Sequence, residues 1–372
     1  MFKFGSFKKK FLAMVSAAAL GLSLTFGAPA TASASLLEEA IIIGVQGAAL
    51  SSQINSAIKH YNTTEAGQQE LYGAFREKYG VNEDPTYNAM LDRIMANLIK
   101  GAAQVDPTVN DKPYKYFISN QETLNAGCGM GRVMMVNVGT FKLISSEDEI
   151  AAIVGHEMGH GQKDHAAKGQ KKLLQKYIIA NVAGAAVNST IGGGALTSAI
   201  TQIAFNHSVA HGDRKQETEA DTLGLEYMLK TNYNPGACAA VMQKFVEMEN
   251  GKKRSAMEKF FNPSDHPDSD KRRDAYVKKL YEYSGKHVTA ANGVVKINDK
   301  NFITVAPSGN MSGAERSYFI LGNLSVAYHK GLNKEEATVQ NGIVMLGNQP
   351  IIEPAEGDED AYTIAERLNA IK

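Results

Sequence analysis

Residues 156–160 read His156-Glu157-Met158-Gly159-His160, and this HExxH stretch decides how the rest of the chain is interpreted. On an α-helix, residues four apart lie on one face, so the two imidazoles can bind a single Zn²⁺ ion. The carboxylate of Glu157 lies beside them and can act as a general base toward a metal-bound water. The motif arises by chance in about one of a hundred such chains, so its surroundings must support it.

The residues around the motif predict a buried helix over 148–160. An apolar run at 150–154 leads into the motif, acidic residues occupy the first turn, and Gly159 permits close packing. A catalytic zinc needs a third protein ligand and one open coordination position. The third ligand must therefore come from elsewhere in the chain.

A helix predicted over 214–230 offers that ligand. Glu217 and Asp221 are four apart and share a face, so one can bind the metal while the other orients a ligating histidine. Alone, such a pair is more often a solvated acidic face, but beside HExxH the metal-site interpretation is favoured. His165 falls about 180° from the ligand face and is predicted to be a buried structural histidine. Glu219 is predicted to be a surface charge.

Composition narrows the class of protein. The chain has 372 residues, 44% of them hydrophobic and 21% charged, which excludes a disordered, collagen-like or multi-span membrane protein. Its 39 basic and 39 acidic residues argue against a nucleic-acid partner. No repeat of about 20–50 residues is evident.

Residues 1–34 have the pattern of a secretory signal peptide. Four lysines precede an apolar run at 11–26, and the segment ends in Ala32-Ser33-Ala34. A membrane anchor is the alternative, but the run is shorter than the ~20 residues a span needs. We predict export to the periplasm or secretion, with no stable transmembrane span after signal removal. A second apolar stretch, 173–205, is interrupted by polar and glycine residues and predicts two short buried helices.

The two cysteines, Cys128 and Cys238, leave two possibilities open. In an oxidising exported compartment they could form one disulfide. Otherwise they are separate buried thiols that pack as small apolar side chains. The sequence does not decide, because pairing depends on their distance in the fold.

Three motifs in order resemble one family. They are HEMGH at 156–160, ETEAD at 217–221 and HPDSDKR at 266–272. Together they are similar to the zinc metallopeptidases that include the CAAX prenyl endopeptidases and the HtpX heat-shock proteases. The soluble exported branch of BepA-like proteins of outer-membrane quality control fits best. The resemblance covers roughly residues 65–285.

The resemblance implies a zinc site with one Zn²⁺ per chain. Its ligands would be His156, His160 and Glu217. Asp221 would orient a ligand without binding the metal, and Arg272 matches the family's arginine beside the site. The remaining open position would be the place of reaction.

The same resemblance implies two catalytic residues. Glu157 would be the general base, and His266 would lie over the metal, where it could gate the open position or stabilise the oxyanion. A simpler alternative is that His266 caps a helix ahead of Pro267.

The segment before the predicted substrate strand departs from the family. Relatives usually carry Asn-Ala, an aromatic residue and a Pro-Gly-Gly turn, whereas residues 125–131 read NAGCGMG. We still predict that Asn125, Ala126 and Val133 bind an extended peptide by adding it to the strand 133–138.

A change of composition at 285–293 predicts a small module over 290–372. Residues 294–305 predict a hairpin, and Ser312 with Glu315 forms a capping box that opens a helix. The module could bind substrate or an envelope partner, or serve only in packing.

These features predict an α+β, mainly helical protein. After the signal peptide, residues 35–285 form a zincin-like metallopeptidase domain with an HExxH helix and a small edge sheet, followed by the C-terminal α+β module. The predicted function is zinc-dependent endopeptidase hydrolysis of unfolded or misassembled cell-envelope proteins. Two alternatives stay open: an envelope chaperone or assembly factor with a mostly closed metal site, and a structural zinc with four protein ligands.

Overall fold

A computed structural model of the chain describes residues 51–52, 54–144, 146–172, 214–251 and 268–372. Leu50–Lys372 form one compact unit. The predictions for the signal peptide, for the 173–205 stretch and for His266 lie outside the described residues. Within the described residues, each helix is too short or too polar to cross a membrane.

Helices dominate the described residues. In chain order they are α1 (Glu65–Tyr79), α2 (Pro85–Val105), α3 (Val138–Leu143), α4 (Glu147–Gln162), α5 (Arg214–Met228), α6 (Ala237–Glu249), α7 (Ser269–Tyr283), α8 (Gly313–His329) and α9 (Ala361–Ile371). Residues 54–63 and 165–172 are also helical. Nine short strands accompany them, so the predicted α+β, mainly helical fold class is confirmed for this part of the chain.

The strands form three sheets of three strands each. They are β1 (Lys115–Ser119), β2 (Ala126–Cys128), β3 (Val133–Asn137), β4 (Val288–Ala291), β5 (Val294–Ile297), β6 (Lys300–Thr304), β7 (Ala337–Gln340), β8 (Ile343–Leu346) and β9 (Gln349–Ile352). The first sheet lies beside the HExxH helix, and the other two belong to the C-terminal segment.

The HExxH helix, α4, crosses α5 at very short range, as Gly159 led us to expect. A Cβ atom at Gly159 would lie 2.8 Å from the carbonyl oxygen of Ala220, and one at Gly224 would lie 2.9 Å from the backbone nitrogen of His156. Real Cβ atoms do not approach backbone atoms this closely, so both helices need glycine here. The close crossing places the two ligand-bearing helices face to face.

We expect Gly159→Ala to lower the free energy of unfolding by about 1–3 kcal/mol, because the added methyl group collides with the backbone of Ala220. Gly73→Ala in α1 is the matched control, since a Cβ there meets open space. That variant should gain about 0.5–1 kcal/mol from helix propensity. Urea unfolding measures both, and equal effects of the two substitutions would contradict the close crossing.

The first sheet has the order β1-β3-β2. The central strand β3 is parallel to β1 and antiparallel to β2, so it is paired on both sides. The prediction that the strand beginning at Val133 accepts a peptide is therefore wrong. A peptide can add only to a free edge, and the edge strand beside α4 is β2. That strand is formed by residues 126–128, which belong to the segment that departs from the family pattern.

The two cysteines are separate. Cys128 ends β2 and Cys238 lies in α6, and both thiols are free and buried. Of the two possibilities left open by the sequence, the structure shows two separate buried thiols and no disulfide. Burial raises the pKa of each thiol well above its usual value, so both stay protonated and pack as small apolar groups.

The C-terminal segment contains an internal repeat, so the expectation of no repeat is wrong. Three antiparallel strands followed by a helix occur twice, as β4–β6 with α8 and as β7–β9 with α9. Asn-Gly pairs with positive φ, at 292–293 and 341–342, join the first two strands of each unit. The strand pairing is irregular at the equivalent points, 295–296 and 344–345. The repeat was missed because few side chains are identical.

The helix of each repeat unit packs on a strand of the other unit as well as on its own sheet. Helix α8 packs on β4 and β5 of its own unit and on β9 of the other, while α9 packs on β7, β8 and β6. Asn323 of α8 donates to the carbonyl of Ile351 in β9 at 3.1 Å. Arg367 of α9 donates to the carbonyl of Phe302 in β6 at 2.8 Å. Each unit therefore needs the helix of the other to complete its core.

The repeats pack tightly against the part of the chain that carries HExxH. Apolar residues from both parts form one contiguous core. The ammonium of Lys244 in α6 lies 3.2 Å from a carboxylate oxygen of Glu149 in α4 and 3.6 Å from one of Glu315 in α8. Both carboxylate residues are 0% exposed and Lys244 is 3% exposed. The division of the chain at 285–290 stays a prediction.

Candidate metal centre

The three predicted metal ligands meet where α4 crosses α5. The Nε2 atoms of His156 and His160 are 3.0 Å apart. Oxygens of Glu217 lie 3.4 Å from the first nitrogen and 3.3 Å from the second. In a tetrahedral zinc site with ligand bonds of about 2.0–2.1 Å, ligand atoms are about 3.3 Å apart, so these residues fit the ion. Among the described residues, no other His, Cys, Asp or Glu cluster has ligand atoms grouped this closely.

The electrostatics of the centre also fit a cation. Burial lowers the pKa of His156, but the carboxylates of Asp221 and Glu217 outweigh burial and raise it to about 10. Burial raises the pKa of Glu217, yet the two imidazoles hold it well below its usual range. The protein thus stabilises positive charge between these side chains, which is what a divalent ion supplies.

A buried network of hydrogen bonds contacts the Nδ1 side of the His156 ring. Its Nδ1 donates to Asp221 at 2.9 Å. Asp221 in turn accepts two hydrogen bonds from Arg272, at 2.8 and 2.6 Å, and one from the hydroxyl of Tyr276 at 2.8 Å. Arg272 also lies 3.5 Å from Glu217. Because the Nδ1 proton is engaged, the Nε2 lone pair of His156 faces the ligand cluster.

Glu157 lies beside the ligands and is held by the edge strand. One of its oxygens is 4.0 Å from Nε2 of His156, and the other accepts a hydrogen bond from the backbone N–H of Cys128 at 3.0 Å. Burial raises the pKa of Glu157, against the opposing effect of the nearby imidazoles of His160 and His156. A carboxylate with a raised pKa is better suited to take up and release a proton near neutral pH.

The sequence of residues 85–279, more than half of the chain, matches peptidase family M48. All the residues of the centre described above lie in that range. The chain belongs to peptidase family M48. The match ends before the repeated strands and helices, which lie outside it.

Several named proteins are similar to this M48 chain. The metalloprotease LoiP of Escherichia coli is 25% identical over 164 residues, which are 44% of this chain and 62% of LoiP. The beta-barrel assembly-enhancing protease of Escherichia coli is 20% identical over 197 residues, 50% of this chain and 39% of that protein. The mitochondrial metalloendopeptidase OMA1 of Arabidopsis thaliana is 26% identical over 140 residues, 36% of this chain and 26% of OMA1. The chain spans less than two thirds of the length of each.

The predicted peptide-binding residues Asn125 and Ala126 lie at the centre. They line a small apolar pocket that also contacts His156 and Glu157 and is bounded by Met242 of α6. Val133 is not among the residues that line this pocket.

Two further residues, His165 and Glu219, lie beside the ligands of the M48 chain, and the sequence analysis did not predict this contact. Nδ1 of His165 lies 2.9 Å from Nδ1 of His160, and Nε2 of His165 lies 3.1 Å from a carboxylate oxygen of Glu219. His165 is buried and Glu219 is a partly exposed surface charge, as predicted, but their contact with each other and with His160 was not predicted. The helical phase failed because α4 ends at Gln162 and the chain turns at 163–164. The sequence carries no glycine or proline at 163–164 that would signal this turn.

Proposed function

We propose that this chain is a zinc-dependent endopeptidase acting on unfolded or misassembled proteins of the cell envelope. The observation that carries the proposal is the triangle of ligand atoms from His156, His160 and Glu217, with the carboxylate of Glu157 beside it. These three residues would hold Zn²⁺. When bound, the ion supplies polarisation of a carbonyl oxygen and a water of lowered pKa.

The protein's own groups would then handle the proton. Glu157 would take a proton from the attacking water and deliver it to the amine that leaves when the peptide bond breaks. The N–H of Cys128 keeps the Glu157 carboxylate in place for both transfers. The role of His266 as a gate or an oxyanion donor remains part of the proposal.

The edge of β2 supports an extended polypeptide as substrate. Residues 125 and 129 hydrogen-bond to β3, so the backbone groups of Ala126 and Cys128 face away from that strand. The N–H of Cys128 is used by Glu157 and that of Ala126 by the side chain of Asn125, so a substrate strand would pair with the outward carbonyl groups and displace the Asn125 side chain. A substrate strand can pair along this edge, next to Glu157. The pocket walls from Ile153 and Met242 are apolar, which suits side chains that unfolded proteins expose.

The cellular setting is also proposed. Residues 1–34 have the composition of an export signal, which supports a periplasmic or secreted location. One relative is named for enhancing β-barrel assembly and another as a metalloprotease, which supports an envelope protein as substrate. The C-terminal repeats could bind an envelope partner.

The test uses the exported form of the chain, residues 35–372, with unfolded casein as the probe substrate. We expect cleavage that stops with a zinc chelator and returns when Zn²⁺ is added. His156→Ala and Glu217→Ala should each lose stoichiometric zinc in elemental analysis, because a three-ligand site cannot spare one ligand. Full zinc content in Glu217→Ala would show that the third ligand is another residue.

A further inference from the structure

The second nitrogen of His160 has an unusual neighbour. Where Nδ1 of His156 faces the carboxylate of Asp221, Nδ1 of His160 faces another imidazole, that of His165. We infer that His165 is a positioning residue that fixes the ring of His160 in its metal-binding orientation. Glu219 selects the tautomer of His165 that this role requires. The inference rests on the proposed metal centre and adds two residues to it.

The order of donors and acceptors follows from the two imidazole rings, of His160 and His165, and the carboxylate of Glu219. If His160 binds metal through Nε2, its Nδ1 carries the proton and must donate. The atom that it faces is Nδ1 of His165, which must therefore accept and leave the His165 proton on Nε2. That Nε2–H faces a carboxylate oxygen of Glu219 at 3.1 Å. A carboxylate can only accept, so Glu219 selects the tautomer that His160 requires.

The local fold explains why His165 can reach back to α4. The turn after α4 contains Asp164, whose φ is positive at 52°. Asn62, in the helical stretch 54–63, donates a hydrogen bond to the Asp164 carboxylate at 3.0 Å and holds this turn. His165 then begins the next helix with only 4% of its surface exposed. The imidazole is thus fixed by packing rather than free to follow His160.

His165 and Glu219 should contribute unequally to the zinc affinity. His165 is buried and contacts the ligand directly, while the side chain of Glu219 is 40% exposed and acts only through His165. Hydrogen-bond partners behind a metal ligand typically change metal affinity by about 10–100-fold. We expect the upper part of that range for loss of His165 and the lower part for loss of the Glu219 charge.

The experiment measures the Zn²⁺ dissociation constant of the exported chain by competition with a chromogenic chelator. His165→Ala should weaken binding toward the upper end of that range, by about 100-fold. His165→Asn should stay within a few-fold of wild type, because its amide oxygen can take the place of Nδ1 as acceptor. Glu219→Gln should weaken binding, since the amide can donate to His165 and favour the wrong tautomer. Glu226→Gln, an exposed change on the same helix, is the control and should bind like wild type.

Cobalt substitution adds a readout of geometry. The visible absorption of the Co²⁺ form should change in His165→Ala and return in His165→Asn, whereas a merely space-filling role would alter both variants alike. Equal zinc affinities in wild type, His165→Ala and Glu219→Gln would overturn the inference. His160→Ala separates this failure from failure of the centre itself: if that variant also keeps its zinc, the proposed ligand set is wrong.

Discussion

Glu157→Gln is expected to abolish peptide hydrolysis while zinc stays bound. The amide cannot take a proton from water, and general acid–base catalysis of this kind contributes about 10²–10⁴-fold to the rate. The side chain should keep its position, because the N–H of Cys128 can donate to the amide oxygen as it does to the carboxylate. The ligands His156, His160 and Glu217 are unchanged, so the metal should remain.

The measurement pairs kcat/KM on unfolded casein with the zinc content of the same preparation. Glu77→Gln, an exposed change in α1 remote from the centre, should leave both unchanged. Full hydrolysis by Glu157→Gln would contradict the assignment of the base. The variant also separates the alternatives: a chaperone function would survive the substitution, as suppression of client aggregation, whereas a structural zinc site would give no turnover in either protein.

Lys244→Met is expected to lower the free energy of unfolding by about 3–5 kcal/mol. The substitution removes the cation that lies between the buried carboxylates of Glu149 and Glu315 and leaves their charge in a medium that solvates it poorly. The three residues come from α4, α6 and α8. The loss should therefore loosen the contact between the HExxH helix and the repeats.

A companion variant tests whether charge is the cause. Replacing all three residues together, as Glu149→Gln, Lys244→Met and Glu315→Gln, removes every charge of the group and should recover most of the loss. Gln at 315 can keep the capping box with Ser312. Lys278→Met, on the exposed side of α7, controls for loss of a lysine. A Lys244→Met protein as stable as wild type in urea unfolding would contradict this account.

Sequence patterns that involve only neighbouring residues predicted much of the metal centre. The spacing of His156 and His160 requires only that the stretch be helical, and α4 covers Glu147–Gln162 where 148–160 was predicted. The capping box at Ser312 was likewise readable, because both of its hydrogen bonds lie within one turn. Features set by neighbours three or four residues away can be read from a sequence.

Features set by distant neighbours could not be read. Whether the strand at Val133 is an edge depends on β1 and β2, and the short β2 carries no strand-like pattern. The position of His165 depends on a turn that Asn62 holds from about 100 residues away. The two cysteines posed the same problem, since only the fold fixes their separation.

Each repeat unit packs its helix on a strand of the other unit, and this affects when each core can be completed. Strand β6 is completed by α9, and the residues of the hydrogen bond that joins them, Phe302 and Arg367, are 65 residues apart. Contacts between residues this far apart along the chain form more slowly than local ones, so the core of the first unit cannot be complete until α9 is in place. Helix α8 of that unit is also the one that meets Lys244. The HExxH helix is thus linked, through Glu149, Lys244 and Glu315, to a repeat unit whose core depends on the last helix described, α9.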